Sequence, residues 1–113
     1  MHIMEICIHL TFYPCKGTVP GTLCNTNGTS PLSDLHISNN RLSGALDVSN
    51  CLRLVQVDAG DNHFTDFDNP TGYNKLHTVH LSRNNFGNEV FSEILIALSD
   101  GGHVSDLAIS WNM

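Results

Sequence analysis

The chain has 113 residues, with 11 acidic and 5 basic side chains and a formal net charge of −6 at pH 7. A chain of this length forms one small domain, and its negative charge argues against nucleic acid or an anionic membrane surface as a partner. It contains no run of about 18 apolar residues, so we expect no membrane insertion.

Residues 1–31 are predicted to form an N-terminal capping segment. Apolar and polar residues alternate in MEICIHLTFY, residues 4–13, which is the period of a half-buried strand. No Lys or Arg precedes Lys16, and the segment has no small-residue cleavage site. We therefore interpret it as mature chain headed by a capping strand, and not as a signal peptide.

The four cysteines are at positions 7, 15, 24 and 51 and have no C-x-x-C spacing. This spacing does not indicate a zinc knuckle or a thioredoxin-type pair. Two interpretations stay open, a bridge between Cys15 and Cys24 or buried free thiols that act as small hydrophobic side chains. The second is favoured because free cysteine is among the most buried residue types.

From residue 32 onward the sequence repeats the pattern apolar-x-x-apolar-x-apolar-x-x-Asn-x-apolar. The pattern starts at residues 32, 54, 76 and 104, so successive starts are 22, 22 and 28 residues apart. We divide this part of the chain into repeats 32–53, 54–75 and 76–103 and a partial repeat 104–113. The asparagines of the pattern are Asn40, Asn62, Asn84 and Asn112.

The alternating apolar residues of each repeat predict a short strand with one buried face, which pairs with the strand of the next repeat. Each asparagine comes where the chain leaves the sheet. There its amide can satisfy backbone groups that would otherwise cost about 1–3 kcal/mol apiece, so the asparagines are expected to form a structural ladder.

The segments between the strands differ in their expected structure. GNEVFSEILIALSDGG has apolar residues at helical spacing and predicts a helix near 88–99, with Asn88 as the N-cap and Gly101 as the stop. The two earlier segments, SGALDVSNCLR and TDFDNPTGYNK, are interrupted by Gly, Pro and Asn. They are predicted to be turns or short 3₁₀ pieces.

The pattern and its spacing resemble the leucine-rich repeat family over about residues 32–112, with about four repeats. Leu42-Ser43-Gly44 is similar to the L-S-G that follows the asparagine in plant-type repeats, although the later proline of such repeats is missing and Ala59 is small for a core position. The resemblance implies an α/β solenoid. Its right-handed coil would have a short parallel sheet and the helix near 88–99 on its convex side.

In solenoid repeats the exposed face of the sheet is the usual binding surface. Equivalent outward positions form three columns here, Asp34/Gln56/Thr78/Asp106, His36/Asp58/His80/Ala108 and Ser38/Gly60/Ser82/Ser110, and beyond them lie Asn39, Asp61, Arg83 and Trp111. The predicted binding face consists of Asp34, His36, Gln56, Asp58, Thr78, His80, Arg83, Asp106 and Trp111.

No metal or other cofactor is predicted. His36 and His80 would flank the Asp58 carboxylate, but they lie two strands apart, about 9.6 Å, which is too far for both to bind one zinc ion. The acidic stretch DAGDNHFTDFD lacks the ligand spacing of a calcium loop.

The sequence predicts a protein without catalytic residues, because it contains no G-x-S-x-G, no H-E-x-x-H and no phosphate-binding glycine loop. The resemblance implies a recognition module that binds protein or glycan through the sheet face. The alternative is a structural subunit of a surface layer, fibre or virion that forms homo-oligomers through the exposed ends of the solenoid. Both interpretations favour an extracellular, cell-surface or virion-associated location, although the compartment itself stays open.

Overall fold

The computed structural model describes residues 16–19, 23–24, 30–70, 75–101 and 104–110. Within these residues the strands form two parallel sheets, which we call the first sheet (β2-β4-β6-β7) and the second sheet (β1-β3-β5). The chain is therefore an α/β fold with two parallel sheets and one helix in its described part. The predicted capping strand at residues 4–13 lies outside the described residues. In chain order the elements are β1 (Lys16–Thr18), β2 (Asp34–His36), β3 (Arg41–Asp47), β4 (Gln56–Asp58), β5 (His63–Asp68), β6 (Thr78–His80), α1 (Asn88–Gly101) and β7 (Asp106–Ala108).

The first sheet consists of four strands of three residues each. Leu35 pairs with Val57, Val57 with Val79, and Val79 with Leu107. The central residues of β2, β4 and β6 are fully buried and their neighbours are half-buried, as expected when successive side chains point to opposite faces. The register keeps the spacing of the sequence pattern and so places the predicted columns of outward residues side by side.

Strands β3 and β5 of the second sheet extend into the two segments predicted to be turns or short 3₁₀ pieces. That prediction is therefore wrong where these strands lie. Gly44 lies in the left-handed region, with φ of 78°, and the β3–β5 register shifts directly after it. A β-carbon on Gly44 would lie 3.3 Å from Cγ2 of Thr18, so the glycine also permits close approach of β1. This irregularity interrupts the alternation by which a strand is recognised in a sequence.

Both sheets and the helix contribute side chains to one hydrophobic core. All twelve apolar positions of the pattern in the first three repeats are at most 2% exposed, including the small Ala59. Burial of a Leu, Val or Phe side chain of this kind stabilises a fold by about 1.5–3 kcal/mol. The fourth repeat is less enclosed, since Leu107 is 39% exposed.

The predicted helix is present as α1, and it ends at Gly101 as expected. Its Ile94 and Leu98, one turn apart, are buried in the core beside β5. The N-cap prediction is wrong by one residue. The Phe91 amide donates to the Gly87 carbonyl at 2.8 Å, so Gly87 has the N-cap position and Asn88 is the first helical residue.

Cys24 and Cys51 form a disulfide between Cα atoms 5.3 Å apart. Both the preferred free-thiol interpretation for these two residues and the alternative bridge from Cys15 to Cys24 are therefore wrong. Sequence spacing does not indicate the Cys24–Cys51 disulfide, because the two cysteines are 27 positions apart. Both are buried, and only the fold brings them together. Cys7 and Cys15 lie outside the described residues.

Candidate binding face

The turn after each of the first three strands of the first sheet has the same unusual backbone conformation. Asn39, Asp61 and Arg83 have φ values of 59°, 58° and 60°, in the left-handed region. This conformation costs residues other than glycine about 1–2 kcal/mol, and asparagine and aspartate somewhat less. Other contacts must therefore hold these turns.

Those contacts come from the asparagine that follows. The Asn62 amide nitrogen donates to the Ile37 carbonyl at 2.9 Å and to the Ala59 carbonyl at 3.2 Å, and its oxygen accepts from the Leu42 amide at 3.0 Å. Ala59 belongs to the same turn, whereas Ile37 and Leu42 belong to the preceding repeat. The buried Asn62 side chain therefore fastens its own turn to the previous one.

Asn84 repeats this arrangement one repeat later. Its amide nitrogen donates to the carbonyls of Ala59 at 3.1 Å and Leu81 at 3.0 Å, and its oxygen accepts from the Phe64 amide at 3.0 Å. Asn40, at the same position one repeat earlier, donates to the Ile37 carbonyl at 3.1 Å. Asn112 lies outside the described residues.

Within the described residues, three contacts between a basic and an acidic side chain cross the exposed face, and the two that involve histidine are ion pairs only when the imidazole is protonated. His36 Nδ1 lies 3.8 Å from Asp58 Oδ2, His80 Nε2 lies 3.3 Å from Asp106 Oδ1, and Arg83 lies 3.5 Å from Asp61 Oδ1. Both histidines flank Asp58 in the register, as expected, but the His80 imidazole contacts the Asp106 carboxylate. Ala108 lies opposite His80 in the register, so the contact with Asp106 runs diagonally to the other end of β7.

An open groove of about 410 Å³ lies at the C-terminal ends of the first-sheet strands. Asp58, His80 and Arg83 belong to the predicted binding face and line it. Its other polar lining residues are Asn39 and Asp61, and its small ones are Ser38, Gly60, Ser82, Ala108 and Ser110. The outward column that contains Ser38, Gly60, Ser82 and Ser110 is visible in the sequence and indicates these small residues. The predicted binding face does not include them.

The groove is suited to hydrogen bonding. Among the described residues that line it, none has an apolar side chain larger than alanine. A β-carbon at Gly60 would lie 3.2 Å from the Ser82 carbonyl oxygen, so the lining is bare backbone at this point. A polar ligand can therefore meet carboxylates, hydroxyls, a guanidinium and main-chain groups in one groove.

The remaining residues of the predicted face lie elsewhere. Asp34, Gln56, Thr78 and Asp106 form the outward column at the N-terminal ends of the same strands, and His36 lies beside Asp58 in the adjacent column. Trp111 is outside the described residues. Within the described part of the chain, no group of three or more His, Cys, Asp or Glu side chains is arranged to hold a metal ion.

A second concentration of charge lies on the outer surface of the second sheet. Asp47 and Asp68 are register partners on β3 and β5, and Asp66 is nearby. Burial raises the pKa of Asp68, and the charges of Asp66 and Asp47 raise it further. Asp47 accepts hydrogen bonds from the Ser49 amide and hydroxyl at 3.0 and 2.6 Å, so it stabilises a turn.

The chain matches no protein-family model, no curated protein and no solved structure. In the part of the chain that the structure describes, the helix is too short to cross a membrane. The groove and the rest of the exposed face therefore have to be interpreted from their own chemistry.

Proposed function

We propose that the chain is a short leucine-rich repeat solenoid that acts as a non-catalytic recognition module and binds protein or glycan through the exposed face of the first sheet. The observation that supports this proposal is the separation of two sets of side chains. Leu35, Val57 and Val79 are all apolar and fully buried, whereas the adjacent outward residues differ in charge and size from strand to strand. A scaffold of this kind allows the contact residues to vary without loss of the core.

The groove is the part of the face that a partner would occupy. Its concave shape increases the area of contact, and Asp58, Asp61 and Arg83 provide charges of both signs. Such groups fix the orientation of a bound partner and select among partners.

The test uses two triple variants with the same residue types. One replaces Asp58, His80 and Arg83 in the groove with alanine, and the other replaces Arg41, His63 and Asp68 of the second sheet. Both sheets contribute to one core, so the second variant changes a surface on another side of the protein.

Each protein would be screened against a printed array of oligosaccharides and a displayed library of random peptides. We expect the wild type and the second-sheet variant to bind the same ligands, and the groove variant to lose them by at least about tenfold in affinity, which corresponds to 1.4 kcal/mol. Equal loss in the two variants, or no ligand for the wild type, would count against the proposal.

Homo-oligomerisation is the second candidate function, and the exposure of Leu107 favours it. This residue is 39% exposed, whereas its register neighbour Val79 is fully buried. Because β7 is the last strand in the described part of the first sheet, its outer side can accept another strand. Light scattering over a concentration series would show assembly that Leu107→Asp abolishes. A wild-type monomer at every concentration would reject this candidate.

A further inference from the structure

Away from the groove, three side chains at the N-terminal ends of β6 and β7 form a connected hydrogen-bonded group. Ser105 Oγ lies 2.7 Å from His77 Nε2, and His77 Nδ1 lies 3.0 Å from Thr78 Oγ1. Ser105 and His77 are exposed, and Thr78 is half-buried. A serine hydroxyl within reach of an imidazole that is itself oriented by a third group is the usual arrangement of an activated nucleophile.

Sheet register sets this arrangement. His77 and Ser105 directly precede β6 and β7, and Thr78 pairs with Asp106. The amides of Ser105 and Asp106 both donate to the His77 carbonyl, at 3.0 and 3.2 Å. The main chain therefore holds the serine beside the histidine even though 28 residues separate them in the sequence.

The same position before β2 and β4 is occupied by Ser33 and Val55, so the serine–histidine pair is particular to β6 and β7. The columns of outward residues predicted from the sequence do not include the residue that directly precedes each strand. A search for local motifs also misses the pair, because no short segment contains both residues.

Hydrogen-bond chemistry assigns a role to each group. The Ser105 hydroxyl donates to His77 when Nε2 carries the lone pair, and Nδ1 then carries the proton and donates to Thr78 Oγ1. In this tautomer the imidazole can remove the serine proton. Thr78 Oγ1 can accept from Nδ1–H in this tautomer and then helps to orient the ring, which is the positioning role of the third member in serine–histidine triads.

We propose that Ser105 is a nucleophilic acceptor of acyl groups from activated carboxylic esters, with His77 as its general base and Thr78 as a positioning residue. Oγ forms a bond to the ester carbonyl carbon while its proton passes to His77 Nε2. The bond from that carbon to the leaving oxygen then breaks, and the leaving group takes up the proton from the imidazolium. The products are O-acylated Ser105 and an alcohol. This covalent site is independent of recognition through the groove.

The test measures acetylation of the intact chain by 4-nitrophenyl acetate, with site occupancy followed by peptide mass spectrometry. The internal comparison is Ser99, an exposed serine whose hydroxyl donates to the Ile96 carbonyl at 2.9 Å. We expect Ser105 to be acetylated about 10- to 100-fold faster than Ser99. General-base catalysis contributes about 10²–10⁴-fold in enzymes, and a site open to water should reach only the low end of that range.

Three variants assign the roles. His77→Gln should bring the Ser105 rate down to that of Ser99, and Thr78→Val should lower it several-fold. Thr78→Ser should restore it, since a serine hydroxyl can accept the same hydrogen bond, whereas a merely structural effect of the valine would not be reversed in this way. Circular dichroism would check that each variant is folded.

Two results would overturn the proposal. One is a wild-type Ser105 that reacts no faster than Ser99, which needs no variant at all. The other is an unchanged Ser105 rate in folded His77→Gln, which would show that the imidazole does not act as the base. Preferential labelling of Ser105 that depends on His77 would support it.

Discussion

The buried asparagines provide the sharpest test of how this fold is held together, and Asn84→Ala is the most informative single change. The Asn84 side chain is 6% exposed and bonds to main-chain groups of two successive turns. Alanine removes both the donor and the acceptor. It introduces no charge and no added bulk, so its effect reports the loss of these bonds.

The expected loss in the free energy of unfolding follows from the main-chain groups that lose a hydrogen-bond partner when the Asn84 amide is removed. The Phe64 amide is buried and donates to Asn84 Oδ1, so it would lose that partner at a cost of about 1–3 kcal/mol. The Ala59 carbonyl keeps the hydrogen bond from Asn62, so the loss there is smaller, about 0.5–1.5 kcal/mol. With a similar loss for the bond to Leu81, the total is about 2–6 kcal/mol. Domains of this size are stable by only about 5–15 kcal/mol, so the effect is large.

Urea unfolding followed by far-ultraviolet circular dichroism would measure the change. The control is Asn85→Ala, an exposed asparagine next in the sequence, for which we expect a change within about 0.5 kcal/mol. Unaltered m-values would show that the midpoint shift reports stability. A loss below about 1 kcal/mol for Asn84→Ala, or one equal to that of Asn85→Ala, would refute the view that the amide holds the turn.

Three further changes test other parts of the structure. Replacing both Cys24 and Cys51 with serine should lower the free energy of unfolding by about 3.5 kcal/mol, because the disulfide closes a loop between residues 27 positions apart. A loss below about 1 kcal/mol in urea unfolding would contradict this prediction. Asp68→Asn should raise the melting temperature at neutral pH. The raised pKa of Asp68 means that its contribution to stability is present when the carboxyl is protonated and is lost as pH rises through the folded-state pKa. The gain in melting temperature from Asp68→Asn should therefore vanish at about pH 3. An equal gain at neutral pH and at about pH 3 would argue against this reasoning. Gly44→Ala should destabilise the protein by about 1–2 kcal/mol in the same urea assay, since φ is 78° there and the new methyl group would approach a neighbouring strand, whereas an unchanged midpoint would show that the turn relaxes.

The first sheet could be predicted from the sequence because its determinants are local and periodic. A strand of three residues with a buried centre needs only alternation, and the asparagine marks where each strand ends. Leu35, Val57 and Val79 are fully buried as the pattern indicates, and they pair in the expected register. The helix was recognisable for a similar reason, since Ile94 and Leu98 are one turn apart on its buried side.

The second sheet and the side-chain pairs were not predictable in the same way. Gly44 and the register shift after it conceal the alternation of β3 and β5. The contact of His80 with Asp106 runs diagonally across the register, and no pattern in the sequence distinguishes Asp106 from Asp58 as its partner. The contacts between Cys24 and Cys51 and between His77 and Ser105 cross from one segment of the chain to another, so they follow from the folded arrangement only.

The three left-handed turns explain why the groove can carry such different residues. Asn39, Asp61 and Arg83 share φ values near 60° although an arginine has little preference for that conformation. The conformation must then be imposed from outside these residues, and the buried amides of Asn62 and Asn84 provide the constraint for the last two of the turns. Since the side chains that line the groove do not determine their own backbone, substitution at Arg83 should alter what the groove binds while the turn beneath it stays in place.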